Sequence, residues 1–118
     1  MANRPDLSTP QARLRWARQQ AGFETAEDAA DRFVWKAVTY RSHETGERGY
    51  SRHVAMYAKA FRRPIEWLLT GKGDPDGYVD EETAEIVGII PRLSQRDRQD
   101  ILDFIKVKAE RAKRESGG

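Results

Sequence analysis

Apolar positions recur at three- and four-residue spacing along this chain, the period of helices buried on one side. Leu14, Ala17 and Ala21 form the first set. Thr9 is placed to cap that helix, Pro10 suits its first position, and Gly22 stops it. Trp16 falls nearly opposite this stripe, so it is expected to pack on something other than the immediate core, such as the C-terminal segment or a second subunit. Thr25 and Asp28 have capping-box spacing, and Ala29, Ala30 and Phe33 give a second helix its apolar side. Val34-Trp35 reads as a turn, with Trp35 a core anchor. A third helix from about Lys36 to Thr45 has only Tyr40 as a large apolar residue in its first two turns, with Ala37 beside it. It must be held by its neighbours and present most of its surface outward. Gly46 ends it. Ser51 is placed to cap a fourth helix carrying Val54, Tyr57, Ala58 and Phe61. Pro64 opens a fifth, in which Ile65, Trp67 and Leu68 are expected to close the core before Gly71 and Gly73.

The pattern then changes. Lys72 to Tyr78 is turn-rich and reads as a linker. Ile86, Ile89 and Ile90 predict a helix over roughly 80–90, stopped by Pro91. Ser94 with Asp97 opens a long helix to about Arg114, whose apolar residues cover a wide arc rather than a narrow stripe. Ile101, Leu102, Phe104, Ile105 and Ala109 are its candidate dimerisation residues. The alternative is that this helix folds back onto its own bundle. The expected organisation is an arm over 1–8, a five-helix domain over 9–73, a linker over 74–79 and a helical dimerisation segment over 80–114.

Composition narrows the function. Charged residues make up 34% of the 118 and apolar residues 38%, which allows a small core under a large polar surface. Cysteine is absent, so disulfides and thiolate metal sites are excluded. The apolar runs are too short to span a membrane, and the first residues lack the core of a signal peptide, so a cytoplasmic setting is expected. The net charge of +2 is unevenly spread, +5 over residues 1–73 and −3 over 74–118. From Lys36 to Arg63 seven basic residues meet two acidic ones, a basic front suited to a polyanion. Catalytic patterns are missing. His43 and His53 lack metal-ligand spacing, Gly71-Lys72-Gly73 lacks the phosphate-loop spacing, and Asp80-Glu81-Glu82 is simple dipole chemistry at a helix start. No enzyme activity, cofactor or metal is expected.

The order Arg13 to Gly71 resembles the helix-turn-helix of the Cro/C1-type (Xre-like) family of phage and bacterial transcriptional regulators. The matching residues are Leu14-Arg15 and Arg18 before Gly22, Glu44-Thr45-Gly46, Tyr57-Ala58-Lys59-Ala60-Phe61 and Trp67-Leu68-Leu69-Thr70-Gly71. The resemblance implies an all-α chain, with a five-helix lambda-repressor-like DNA-binding domain followed by two C-terminal helices. It implies a salt bridge between Arg18 and Glu44 that pins helix 1 to the end of the recognition helix. Departures exist as well. Ala26 stands where the family usually has Gln, Val34 stands where the turn usually has Gly, and there is one extra residue between Gly22 and helix 2.

In this motif the start of the second helix of the pair meets base edges and its flanks meet phosphates. Ala37, Val38, Thr39, Arg41 and Ser42 are therefore the base-contact candidates. Arg41 is suited to guanine, with a phosphate contact as its alternative, and Thr39 to a base, phosphate or thymine methyl, while Val38 has a core role as its alternative. Thr25, Lys36, His43, Arg48, Tyr50 and Arg52 are the phosphate-contact candidates. The expected function is a sequence-specific regulator, a homodimeric repressor occluding a promoter at a pseudo-palindromic site on double-stranded DNA. The rival is an antitoxin or adaptor that uses the same helices to bind protein.

Overall fold

The computed structural model describes residues 5–117. All regular structure among them is helical, in keeping with the all-α expectation. The chain divides into two compact units, residues 1–80 and 81–118.

The first unit contains five helices, α1 (Pro10–Gln20), α2 (Ala26–Phe33), α3 (Ala37–Thr45), α4 (Val54–Phe61) and α5 (Ile65–Thr70). Local chemistry sets most of their ends. The Thr9 and Thr25 hydroxyls accept from the backbone N–H groups of Ala12 and Asp28, so each satisfies a donor that the first helical turn leaves free. Gly46 ends α3 at φ +84°, and a Cβ there would lie 2.7 Å from the Gln11 side chain. The positive φ favours glycine there, while the Gln11 side chain could swing aside for a Cβ.

The core lies where these helices converge. Leu14, Ala17, Ala29, Tyr40, Tyr50, Val54, Tyr57, Ala58, Phe61, Trp67 and Leu68 are buried in one cluster. Aromatic rings dominate it. Trp35 is half-buried at its edge, with ring centroids 4.8 Å from Phe33, 5.0 Å from Tyr57 and 5.2 Å from Tyr40. The three small alanines let the helix backbones approach while the rings fill the remaining space.

Four expectations change. Trp16 packs within its own unit, edge-on to Trp67 at 5.4 Å and beneath the Arg63 guanidinium at 4.7 Å. Ser51 does not cap α4, which begins three residues later. The Tyr50 carbonyl accepts from His53 N–H at 2.8 Å and winds 51–53 into a separate turn. Ile65 is 46% exposed. A helix as short as α5 buries one side only, and Ile65 lies about 160° around it from Trp67. The segment after Gly73 is fastened rather than free. Arg63 donates to the Pro75 carbonyl and the Asp76 carboxylate, and the Arg62 guanidinium sits over the Tyr78 ring. At the other end, Leu7 already packs on the core, while residues 1–4 of the expected arm lie outside the described residues.

The second unit holds α6 (Glu81–Ile89), a 3₁₀ turn (Ile90–Arg92) and α7 (Gln95–Ser116). The Ser94 hydroxyl accepts from Asp97 N–H and caps α7. No residue of α6 or α7 is buried, and Ile86, Val87, Leu102, Phe104, Ile105 and Val107 are all exposed.

One strained residue yields a test. Val34 ends α2 in the left-handed conformation, φ 60° and ψ 45°, and Trp35 N–H reaches back to the Ala30 carbonyl at 2.8 Å. Left-handed backbone costs an L-residue about 1–2 kcal/mol, most of all a β-branched one. Val34→Gly is therefore expected to stabilise the first unit by about 1 kcal/mol and raise Tm by roughly 4–8 °C. A thermal melt checks this, and an unchanged or lower Tm contradicts the strain argument.

Candidate functional site

Two buried contacts hold α3 in place. Arg18 and Glu44 form a two-point ion pair, Nε to Oε2 at 2.7 Å and Nη2 to Oε1 at 3.2 Å. Arg18 Nη1 also donates to the carbonyls of Phe23 and Glu24 at 2.8 and 2.6 Å, so one guanidinium ties the end of α1, the following loop and the end of α3. Arg15 donates to the Glu44 carbonyl from the same helix. The second contact is a hydrogen bond of 2.7 Å shared by His43 Nδ1 and Tyr57 Oη, which joins α3 to α4.

That second contact removes His43 from the phosphate-contact group. It is 3% exposed, and its ring packs at a tilt against His53 and Tyr50 and edge-on to Tyr57. Burial holds it below the ordinary histidine value, and the neighbouring His53 and Arg48 push in the same direction. Tyr50 is also turned inward. Its hydroxyl lies 2.8 Å from the Pro10 carbonyl and 2.9 Å from that of Leu68, and burial pushes its pKa up to about 12. Helical phase explains His43, which lies one turn past Tyr40 on the inward side of α3. For Tyr50 the reason is a tertiary one: its acceptors are the Pro10 carbonyl in the first turn of α1 and the Leu68 carbonyl in the last turn of α5, both far along the chain.

The remaining candidates lie outward. Val38 is 72% exposed, which rules out the core role. Lys36, Arg41, Arg48 and Arg52 are exposed, while Ala37, Thr39 and Ser42 are half-buried. The Ser42 hydroxyl donates back to the Thr39 carbonyl at 2.6 Å, so its proton is already used. Lys36 stands at the start of α3 and makes no ion pair among the described residues. Thr25 is exposed at the start of α2, its hydroxyl occupied as the cap.

Two functional neighbours went unseen in the sequence. Glu27, on the first turn of α2, accepts from Arg41 Nη1 at 2.7 Å, with both side chains half exposed. Such a pair is worth about 0–1 kcal/mol, so Arg41 exchanges Glu27 for another partner at little cost. Arg13 is buried and donates to three carbonyls, Leu7, Leu68 and Leu69, at 2.8–3.0 Å. It fastens α5 to α1. A partner 55 residues away leaves no local signature.

The outward surface of α3 therefore offers an ammonium group, two aliphatic side chains, a threonine and a guanidinium. It has hydrogen-bond donors and methyl groups but no nucleophile–base pair, and no cluster of metal-ligating side chains occurs among the described residues. No helix there is long and apolar enough to cross a membrane. No protein-family model, curated protein or solved structure matches the chain.

The buried groups yield two tests. Glu44→Gln leaves the Arg18 charge uncompensated and is expected to cost about 3 kcal/mol. The double change Arg18→Met, Glu44→Leu should recover part of that loss in urea unfolding, because it removes the unpaired charge but also the Arg18 bonds to the Phe23 and Glu24 carbonyls. Equal losses in both variants would mean that the unpaired charge is not what destabilises Glu44→Gln. His43 binds its proton less readily when folded than when unfolded. Stability is therefore complete above about pH 6.5 and falls as pH drops below it. His43→Gln should flatten the urea midpoint between about pH 7 and 5, and an unchanged slope would place the titration elsewhere.

Proposed function

We propose that the first unit is a Cro/C1-type helix-turn-helix domain, and that the chain is a sequence-specific DNA-binding regulator acting as a homodimeric repressor in the cytoplasm. The observation that carries this reading is the surface of α3. Its first two turns expose Lys36, Val38 and Arg41 with Thr39 between them, while its far end is locked by Arg18, Glu44 and His43. A rigid helix with an open, basic and hydroxylic N-terminal face is what reading a major groove requires.

Each side chain then has a role. Arg41 takes a guanine through O6 and N7 after leaving Glu27, Thr39 and Val38 meet bases or a thymine methyl, and Lys36, Arg48 and Arg52 meet phosphates. The exposed apolar residues of α7, Leu102, Phe104 and Ile105, support its use as the dimer surface, with Ile101 and Ala109 on the same arc. Two domains then address successive major grooves about 34 Å apart on a pseudo-palindromic operator.

The test is selection from a random duplex pool at several salt concentrations. A two-fold symmetric motif with half-sites about one turn apart is the expected result. On the selected duplex, Arg41→Ala should cost about 1–3 kcal/mol and relax one base position. Glu27→Gln should tighten binding several-fold, because it frees Arg41 and removes a negative charge facing the phosphates. Salt-sensitive binding without enrichment would make this a non-specific DNA protein. An absence of binding at low salt would move the function to protein interaction.

A further inference from the structure

A second surface of the first unit lies between α2 and α4, and it meets the proposed DNA-reading face only at Lys36 and Thr39. Three hollows adjoin there. The first, about 230 Å³, is lined by Trp35, Lys36, Thr39, His53 and Met56 among others. The second, about 540 Å³, shares Trp35 and Met56 with it and adds Phe33, Lys59, Ala60 and Arg62. The third shares Phe33, Ala60 and Arg62 and extends to Arg32 and Tyr78. The middle hollow shares lining residues with each of the others, so the three lie side by side over an aromatic floor, hereafter the trough. The stacked Phe33 and Trp35 rings rest on Phe61 at 6.0 and 5.7 Å.

Its rim is basic. Arg32, Lys36, Lys59 and Arg62 line the trough; Arg62 has the half-exposed Asp80 carboxylate 3.8 Å away, a pair weak enough to exchange, and the acidic lining residue Asp76 is bound to Arg63 at 2.7 Å. Met56 on the wall is 41% exposed. A nucleic-acid backbone would meet the rim charges but leave Met56 and the aromatic floor unburied. A small anion would fill one hollow and leave the rest wet.

We infer that this trough is a docking groove for an acidic amphipathic helix carried by a partner protein. The helix lays apolar residues three and four apart on the Phe33–Trp35–Met56 floor, and its carboxylates face Arg32, Lys36, Lys59 and Arg62. Helix-in-groove recognition suits this unit because its regular structure is all helical and offers no sheet edge to extend. Charge complementarity supplies orientation and encounter rate, and the buried aromatic and methionine surface supplies affinity. The inference does not require DNA reading by α3, and because Lys36 and Thr39 belong to both surfaces a docked helix and DNA would compete for them.

The experiment is selection of displayed random peptides roughly 15 residues long, about four helical turns, on the full chain with no DNA present. The expected retained peptides are rich in Asp and Glu, with Leu, Phe or Trp at three- and four-residue spacing. A synthetic copy should bind at least about tenfold more weakly to Met56→Asp and to Lys59→Glu, as truncated interface anchors do. Circular dichroism melts verify that both exposed-site variants stay folded. Peptides without an acidic excess, or equal binding to the variants, would overturn the inference. So would self-association of the chain lost in Met56→Asp, because the occupant would then be a second copy. Since no duplex is present, the result is independent of whether the chain selects an operator.

Discussion

The pair between Arg18 and Glu44 is the contact on which the geometry of the first unit depends. Its value lies in direction more than in energy. Two parallel N–H to carboxylate bonds fix an angle between α1 and α3 that a single charge contact would leave loose. A buried ion pair adds little net stability, because desolvation offsets most of the attraction. Here the remaining guanidinium nitrogen is also satisfied, by the two loop carbonyls after α1. The charge is therefore fully paired, and it dictates where α3 points.

Around this pair the small core is built from rings that carry polar tips. Tyr50 and Tyr57 each bury a large apolar body and place a hydroxyl on a specific acceptor or on His43. Buried polar bonds of this kind specify one arrangement of short helices more sharply than alkyl packing does. Arg13 works in the same way at the opposite end, where it collects the loose carbonyls of α5. Five helices of six to eleven residues, each marginal alone, become a rigid platform through a few long-range polar ties.

The two units present three surfaces with distinct chemistry: the basic, hydroxylic start of α3 and the aromatic trough with its cationic rim on the first, and the open apolar arc of α7 on the second. Each suits recognition, by hydrogen bonds and methyl groups in the first, by aromatic burial with charge in the second, and by aliphatic contact in the third.

Much of the architecture was legible in the sequence because its signals are local. Thr9, Thr25, Ser94 and Gly46 mark helix ends through bonds and dihedrals within a few residues, and the spacing of Val54, Tyr57, Ala58 and Phe61 shows the buried side of α4 without any partner in view. The exposed character of Lys36 and Arg41 was readable for the same reason. The inward turn of His43 and Tyr50, the exposure of Ile65, the shelter of Trp16 under Arg63 and the pairing of Arg41 with Glu27 were not. Each depends on a partner far along the chain, or on which side of a short helix the fold turns inward. Periodicity states that a helix has a buried side. Only the assembled bundle, with its carbonyls and charges in place, decides which polar groups go inside with it.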